Sequence, residues 1–495
     1  MKRILFFLLS NIVIGTFAQT VNWCNYSKVN APFNASPQIS GYYIGNIDGY
    51  DFFTYYSGIP KKHEEPLYRL AFCKTMNNQT INSSSFTTQE YNLINHTIVN
   101  NLPAIIHLSP NLTEKSKKFQ DINIDFFDPN TLLKKYSDHL LTYEILSNFN
   151  SFCEFISSPD LSHHALVVRA KLPDMNKESI IIKCYDSKLN ELWTNYYIFK
   201  SQGTTYIHSA FQNNNGLVYL SCLNYDAPKK NQLVKFELAE INSSKVSTVT
   251  IEPEKSTNFN SLKSIQIDNH KLFFAYNDNE NLMSYSIDFE KNNYVQFVNN
   301  PLTSGNWVVS NISNMDNGNF IISLENKLMQ TQYVYDEYRR LKYIKYNYLN
   351  GHILFLGLNI DENKQTFNRI IARSYDISQQ TPTKNSNILI NPFYFVRGNS
   401  LFVIYNSINI DHPDFTQQDN NYQIEKEKKS KHPLTKMCIV NEKGELKLKT
   451  LFTLQQDKGF LASTFSYIDQ KNNIIIAKCY KKYLTFGKIN FDNFN

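Results

Sequence analysis

The sequence has 495 residues, of which 42% are hydrophobic and 19% charged, with a formal net charge of +6. These values suit a folded chain with a large core and exclude an intrinsically disordered one. The densest run of charge, EKEKKSK at residues 425–431, mixes both signs, so the sequence lacks the basic stripe typical of nucleic-acid binders. We therefore expect no nucleic-acid partner.

Residues 1–18 have the features of a secretory signal peptide. A basic start (Lys2, Arg3) precedes an apolar stretch over 4–14, and Ala18 supplies a small residue at the expected cleavage point. The apolar stretch is well short of the roughly 18 residues that a spanning helix needs. We expect a secreted protein without membrane insertion. Removing the peptide takes away two basic and no acidic residues and lowers the formal charge to +4.

After an N-terminal extension over 19–38, a repeated unit begins. Each copy is a polar turn, rich in Asn or Gly, followed by five to seven mostly apolar residues, the pattern of a tight turn that leads into a buried strand. Asn tolerates the left-handed backbone of such turns, so it replaces the scarce Gly. The copies are DGYDFFTYY from Asp48, SHHALVVRA from Ser162, NGLVYLSCL from Asn215, DNHKLFFAY from Asp268, NGNFIISL from Asn317, NGHILFLGL from Asn350, GNSLFVIY from Gly398 and KNNIIIAKC from Lys471.

The polar stretch between the first two copies fits the repeat least well. Leu132, Tyr136 and Leu140 follow one another at helical spacing, and Asn130 could cap the start of a helix. This pattern predicts a short helix near 131–147, with an irregular hairpin as the alternative.

The spacing of the copies predicts a β-propeller. The turn residues His163, Gly216, Asn269 and Gly318 follow each other at intervals of 53, 53 and 49 residues, close to the length of a four-stranded propeller blade. The next copy, at Gly351, comes after only 33 residues, which is too few for four strands. A β-sandwich rarely needs so long a chain, and a β-helix has a shorter period.

The fold class that we predict is therefore all-β, a propeller of about seven four-stranded blades, with eight as the alternative. One four-stranded meander cannot stand alone, whereas a ring of meanders buries both faces of each sheet. The propeller would form a single domain over 39–495, with insertions near 75–140 and 408–433.

The seven cysteines show no metal-binding spacing. Cys184, Cys222 and Cys479 each alternate with apolar residues along a strand, so we expect them to be buried thiols. A disulfide among Cys24, Cys73 and Cys153 is left open.

No linear motif of catalysis, phosphate binding or metal binding occurs: GxGxxG, GxxxxGK, GxSxG and HExxH are all absent. Asp121, Asp125 and Asp128 lack the compact spacing of a calcium loop. We therefore assign no catalytic, cofactor-binding or metal-binding residue, and no cofactor. The 408–433 insertion is a long loop on the rim that carries the links between blades, and its Asp411, His412 and Asp414 are our speculative binding residues.

The segment IIIKCYDSKLNELWTNYY resembles the strand-turn-strand unit of quinoprotein-like β-propeller repeats, with Asp186, Asn190 and Trp193 at the matching positions. The resemblance implies a fold and no cofactor, because the adjacent Cys-Cys pair of quinone-dependent enzymes is absent. The export signal, ending in FAQ, resembles those of secreted Bacteroidota proteins.

Two functions follow from this fold. The first is an exported, non-catalytic propeller that acts as a protein-binding or glycan-binding scaffold module and is a monomer. The alternative is a polysaccharide hydrolase or lyase with its site at the mouth of the propeller channel. An enzyme would bring two or more carboxylates together with a histidine, tyrosine or arginine at one mouth, whereas a scaffold would show a broad aromatic or mixed patch.

Overall fold

The computed structural model describes residues 21–23, 40–59, 67–76, 79–87, 92–110, 119–144, 152–171, 178–199, 204–225, 233–253, 261–277, 281–297, 300–302, 306–315, 318–335, 341–373, 377–379, 391–409, 429–453, 459–469, 471–480, 483–489 and 491. In these ranges the chain is almost entirely β-strand, with one 3-10 turn at Ser463–Phe465.

The described strands form eight antiparallel sheets, which we number blades 1 to 8. The first described strand, β1 (Val21–Trp23), belongs to the last blade. Blade 1 has β2 (Ser40–Ile47), β3 (Tyr50–Ile59), β4 (Leu67–Met76) and β5 (Gln79–Thr87); blade 2 has β6 (Asn92–Val99), β7 (Leu102–Pro110), β8 (Phe119–Phe127) and β9 (Lys134–Glu144); blade 3 has β10 (Cys153–Ser157), β11 (His163–Lys171), β12 (Glu178–Asp186) and β13 (Glu191–Ile198); blade 4 has β14 (Thr204–Gln212), β15 (Val218–Tyr225), β16 (Leu233–Ile241) and β17 (Val246–Ile251).

Blades 5 to 8 continue the same meander, in which strands pair in chain order. Blade 5 has β18 (Ser261–Asp268), β19 (Lys271–Asn277), β20 (Asn281–Asp288), β21 (Asn293–Gln296) and β22 (Asn300–Pro301); blade 6 has β23 (Trp307–Asn314), β24 (Asn319–Tyr335), β25 (Leu341–Asn359), β26 (Lys364–Ile371) and β27 (Ile377–Gln379); blade 7 has β28 (Phe393–Arg397), β29 (Ser400–Asn409), β30 (Lys429–Asn441) and β31 (Leu446–Thr453); blade 8 has β32 (Phe460–Leu461), β33 (Tyr467–Ile468), β34 (Ile474–Tyr480) and β35 (Tyr483–Ile489).

The middle strands of the blades are buried on both faces. Seven successive residues of β11 and seven of β15 are buried, whereas the outer strand β13 is mostly exposed or half-buried. Continuous apolar runs in the sequence therefore mark strands that lie between two neighbouring sheets.

Short Asp and Asn side chains shape the hairpin turns. Asp186 Oδ1 accepts the backbone N–H groups of Lys188 and Asn190, and Asp186 Oδ2 accepts the Asn190 side chain. Such side-chain acceptors replace backbone partners that a turn leaves unbonded. The same turn recurs at Asn213, Asn441 and Asp469, and Asn242 forms a tighter one by accepting the N–H groups of Ser244 and Lys245. The expected use of Asn at left-handed turn positions is confirmed separately, by positive φ at Asn100, Asn101, Asn292, Asn363 and Asn472.

An apolar cluster fills each seam between consecutive blades from blade 1 to blade 8. The last seam, between blades 8 and 1, is filled by aromatic rings: Tyr43 stacks on Tyr467 with centroids 4.1 Å apart, and Phe53 contacts Phe465 and Phe486. Because the eighth sheet packs on the first, the sheets form a closed ring. The chain is a β-propeller with eight blades in its described residues.

The first strands of the blades are innermost, since β2, β6, β10 and β14 contact one another in succession, as do β18, β23 and β28. We call the rim that carries the turns between first and second strands the upper rim. The lower rim carries the links from one blade to the next.

The N-terminal strand closes the ring. β1 pairs with β35 and thereby supplies the outermost strand of blade 8, with Val21 opposite Ile489. At the inner side of the same seam, Asp51 accepts hydrogen bonds from Tyr467 at 2.6 Å and from Asn46 at 2.8 Å. The two ends of the chain thus hold each other in place.

The helix predicted near 131–147 is wrong, because that segment contains β9. Asp128, not Asn130, caps the preceding turn by accepting the backbone N–H groups of Asn130 and Thr131. Leu132 takes a left-handed backbone with φ of 58°, which ends any helix there. Leu132, Tyr136 and Leu140 fall at helical spacing by coincidence, because the first lies in a turn and the other two lie on the strand that follows it.

Two irregular intervals in the repeat now have explanations. Gly351 lies within the long strand β25 and not in a turn between two strands. The 33-residue interval from Gly318 to Gly351 therefore does not separate two blades. Between Gly49 and His163 a further first-to-second strand turn, at Asn100 and Asn101, starts β7, so this interval spans two blades. The blade count is therefore eight, the alternative of the sequence analysis, and not seven.

The buried thiols predicted at Cys184 and Cys222 are confirmed, and both are free. Burial raises the pKa of Cys184 to about 11 and that of Cys222 to about 12, so neither is a reactive thiolate. Cys153 is also free. The side chains of Cys24, Cys73 and Cys479 lie outside the described residues.

None of the described residues belongs to a helix with the length and apolar character needed to traverse a lipid bilayer.

Candidate functional site

The residues that the sequence singled out for binding, Asp411, His412 and Asp414, lie outside the described residues. The positions that carry the quinoprotein-like resemblance are structural: Asp186 and Asn190 form a turn, and Trp193 is a half-buried residue opposite Cys184. Among the described residues, no group of three or more His, Cys, Asp or Glu side chains is placed to hold a metal ion.

A cleft of about 810 Å³ lies between blades 7 and 8. We call it the basic cleft. It is lined by Val396, Arg397, Ile468, Lys471, Asn472, Asn473, Ile474, Lys488, Ile489 and Phe491. Most of these residues belong to, or directly adjoin, turns between first and second strands, so the cleft opens at the upper rim.

Three of the lining residues, Arg397, Lys471 and Lys488, are cationic and exposed, and none of the described lining residues is acidic. Val396 and Ile468 add apolar surface, with exposed fractions of 39% and 44%. The basic cleft therefore presents a net positive charge beside an apolar wall.

The fold positions each cation separately. Arg397 ends β28, and its guanidinium lies over the ring of Phe491 at 4.0 Å from the centroid, which restricts its movement. Lys488 lies on β35, which β1 fixes from the outer side.

Lys471 lies in the turn that precedes β34, and its backbone N–H donates to Asp469 Oδ1. Asp469 also accepts the backbone N–H and the side chain of Asn473. Its carboxylate is held by the turn rather than directed into the cleft.

A second cationic cluster lies at the lower end of the seam between blades 6 and 7, and its Arg373 and Glu325 are buried. Arg373 Nη1 donates to Glu325 Oε2 at 2.6 Å, and Lys327 Nζ lies 3.1 Å from Glu325 Oε1. Tyr394 donates to Glu325 Oε1 at 3.3 Å. Lys327 also donates to Asn391 Oδ1 at 2.9 Å. We call these residues the Glu325 cluster.

Burial governs the pKa values in this cluster. It lowers the pKa of Lys327, and the cations Arg373 and Lys263 lower it further, although Glu325 opposes the shift. Burial and the Glu325 charge hold the pKa of Tyr394 well above its usual range. A buried cation is stable only beside a charge that compensates it. The Glu325 cluster therefore joins two blades and leaves little free charge for a ligand.

Elsewhere on the lower rim, polar side chains of second strands bind the main chain of the next blade. Their amide or guanidinium groups reach a carbonyl of the neighbouring first strand, which ties two sheets together. The bonds run from Arg169 to Thr205, from Asn277 to Trp307 at 2.6 Å, and from Asn406 to Leu461 at 3.0 Å. Asn406 also accepts the N–H of Leu461 at 3.0 Å. The seam of the basic cleft is thus fastened at its lower end.

Sequence reasoning missed the basic cleft because its three cations come from separate strands. A partial signal existed, since Arg397 and Lys471 directly adjoin the repeated turns. Only the ring closure places Lys488, near the end of the chain, beside them.

No protein-family model matches the chain, and no curated protein matches it. Solved structures match it over most of their length at low identity. The Dos1 propeller is 10% identical, with 91% of this chain and 95% of that chain covered and a TM-score of 0.40. The WD40 domain of SCAP from fission yeast is 8% identical, with 92% and 99% covered and a TM-score of 0.36. A Synechocystis apocarotenoid oxygenase is 9% identical, with 85% and 94% covered and a TM-score of 0.37. These similarities are at the level of fold only and carry no functional argument.

Proposed function

We propose that the protein is an exported, non-catalytic binding module whose basic cleft holds an anionic group of a protein or glycan partner. The observation that carries this proposal is the presence of three exposed cations in one cleft with no acidic side chain among its described lining residues. The signal-peptide pattern of residues 1–18 supports export.

The cleft suits a carboxylate, sulfate or phosphate for physical reasons. Like charges placed together without an internal counter-ion raise the local potential, which attracts an anion and weakens with salt. The guanidinium of Arg397 offers a planar pair of donors, and the two lysines offer point charges. The apolar wall of Val396 and Ile468 lowers the local dielectric constant and strengthens these contacts.

The enzyme alternative has less support in the described residues. The Glu325 cluster contains a single carboxylate, which two cations and a tyrosine already occupy. Asp51 and Asp469 both lie near the upper rim, but Asp51 is bonded to Tyr467 and Asn46, and Asp469 caps a turn. Neither the Glu325 cluster nor these two aspartates offer the free acid and base that hydrolysis of a sugar chain needs.

The test is binding of defined polyanions to the purified full chain. Dextran sulfate and polygalacturonate represent anionic glycans, poly-glutamate represents an acidic protein segment, and neutral dextran is the uncharged control. We expect binding of at least one polyanion and none of dextran, with affinity that falls as salt is added.

Charge-reversed variants locate the site. Lys471→Glu combined with Lys488→Glu is expected to weaken binding on the order of tenfold, because two attractive contacts become repulsive. The matched control is Lys447→Glu combined with Lys449→Glu, on the outer strand β31 and outside the cleft, which changes net charge equally. Equal loss in both variants, or no polyanion binding at all, would overturn the proposal. Release of reducing ends or unsaturated sugars from the glycans would overturn its non-catalytic part.

A further inference from the structure

Blade 6 carries an arm that the other blades lack in the described residues. Its strands β24 and β25 have 17 and 19 residues, and their pairing continues from Lys327 opposite Asn350 to Tyr335 opposite Leu341. The inner neighbour β23 stops pairing with β24 at Asn326. We call residues 328–335, with their partners 341–349, the arm.

The two edges of the arm differ. On the outer side, β27 pairs with Tyr346 to Tyr348 of β25. On the inner side, Lys327 is the last residue of β24 that has a partner among the described residues, since its N–H donates to Asn306 O at 2.8 Å. Strand N–H and C=O groups alternate in direction. Met329, Thr331, Tyr333 and Tyr335 therefore direct theirs to the same inner side, where no described strand pairs with them.

The sequence of this inner edge contains no charged residue that would repel another strand. The sequence LMQTQYVY of residues 328–335 has no charge, and Tyr333 and Tyr335 are exposed by 56% and 57%. Proteins usually protect free edges with charged residues, as the lysines of β9 and β31 do here. A long, uncharged, aromatic edge is instead suited to pairing with a further strand.

We propose that the arm pairs edge to edge with the arm of a second copy of this chain, in an antiparallel, two-fold arrangement. Only residues that direct their N–H and C=O groups inward can form the hydrogen-bonded pairs. A two-fold axis at Gln332 uses all four: Met329 lies opposite Tyr335 of the second copy, and Thr331 opposite Tyr333.

Charge favours the second copy as the occupant. Two identical uncharged strands meet without like-charge repulsion, and a two-fold contact uses the same patch on both copies. In the register centred on Gln332, residues 329–335 of the two copies lie opposite one another, and none of these residues carries a charge.

This inference does not depend on the proposed function, because the arm and the basic cleft belong to different blades. It replaces the monomer expected from the sequence with a dimer. A dimer would carry two clefts on one particle, so a polymeric anion could engage both and bind more tightly than either cleft alone.

The first test is the mass of the full chain in solution by analytical ultracentrifugation over a range of concentrations. We expect a dimer for the wild type and a monomer for Thr331→Pro, which removes an inward N–H, and for Tyr333→Lys, which brings like charges together. Tyr196→Lys, at a residue 46% exposed on the outer strand β13, should remain a dimer. A wild type that is monomeric throughout, or a dimeric Thr331→Pro, overturns the proposal.

The second test reports the register and does not depend on weakening the fold. In a two-fold pairing centred on residue 332, Gln332→Cys places two cysteines directly opposite each other at a separation that a disulfide spans. Gln330→Cys, on the same face, would lie opposite Val334 and is the control. We expect a covalent dimer on a non-reducing gel for Gln332→Cys alone. Equal cross-linking of both variants would overturn the proposed register, and none in either would overturn the pairing.

Discussion

At the seam between blades 6 and 7, Arg373 and Lys327 share the buried carboxylate of Glu325. At the next seam, Arg397, Lys471 and Lys488 line an open cleft without an acidic residue among its described lining. The difference follows from solvent access. A buried cation without a partner costs several kcal/mol, whereas an exposed cation keeps its hydration and stays available to a ligand. The cations between blades 6 and 7 therefore stabilise the fold, whereas those between blades 7 and 8 remain exposed and available to a ligand.

The largest expected effect comes from Glu325→Gln, which leaves Arg373 buried without its counter-charge. We expect the free energy of unfolding to fall by about 3 to 5 kcal/mol, measured by urea denaturation. Glu191→Gln is the control, because it removes an exposed ion pair with Lys183 that contributes at most about 1 kcal/mol. Similar losses for the two variants would contradict the distinction between buried and exposed charge.

Acidic pH should lower the stability of the folded propeller. His164 is fully buried and donates or accepts one hydrogen bond with Ser157 at 2.9 Å; burial first, and His163 next, lower its pKa from 6.5 to about 4. Between these two pH values the imidazole of His164 is protonated in the unfolded state and neutral in the folded state. The contribution of neutral His164 to the free energy of unfolding is therefore fully present above pH 6.5 and is lost as pH falls toward 4.

The variant His164→Asn should lose part of that pH dependence. Between pH 7 and pH 4.5 we expect the wild type to lose more unfolding free energy than the variant, by about 2 to 3 kcal/mol. Denaturant titrations at the two pH values measure the difference. Parallel pH profiles for the two proteins would show that His164 titrates normally. Polyanion binding by the folded protein should persist at pH 5.5.

A smaller effect is expected at the lower end of the cleft's own seam. Asn406→Ala removes the bonds to the N–H and C=O of Leu461 and to Thr435, and should cost about 1 to 3 kcal/mol. Asn399→Ala, at an exposed turn in the same blade, is the control and should cost under about 0.5 kcal/mol. An equal effect at both positions would mean that Asn406 does not fasten the seam.

The smallest effect on stability is expected from the cleft itself. The double variant Lys471→Glu and Lys488→Glu should change the free energy of unfolding by no more than about 0.5 kcal/mol, because both side chains are exposed. Thermal and urea unfolding measure this. A loss as large as that of Glu325→Gln would assign these lysines to the fold instead of to binding.

The sequence predicted the fold better than the site because fold information is local and repeated. Each turn followed by an apolar run could be recognised on its own, and their spacing indicated blades. The helix near 131–147 failed because Leu132 sits in a left-handed turn, which apolar periodicity cannot distinguish from a helical face. The Glu325 cluster joins residues up to 69 positions apart, and the basic cleft joins Arg397 to residues near the chain end. Such sites exist only once the ring has closed.

The pairing of β1 with β35 sets the order in which the molecule can mature. Residues 21–23 must wait for residues 487–489, the longest separation along the chain among the described paired strands, so the ring cannot be sealed until both segments have been synthesised. Until then blade 8 has an open outer flank, and a variant that lacks residues 21–23 would keep that flank permanently. Resistance to proteases should therefore appear late and in a single step, when β1 pairs with β35.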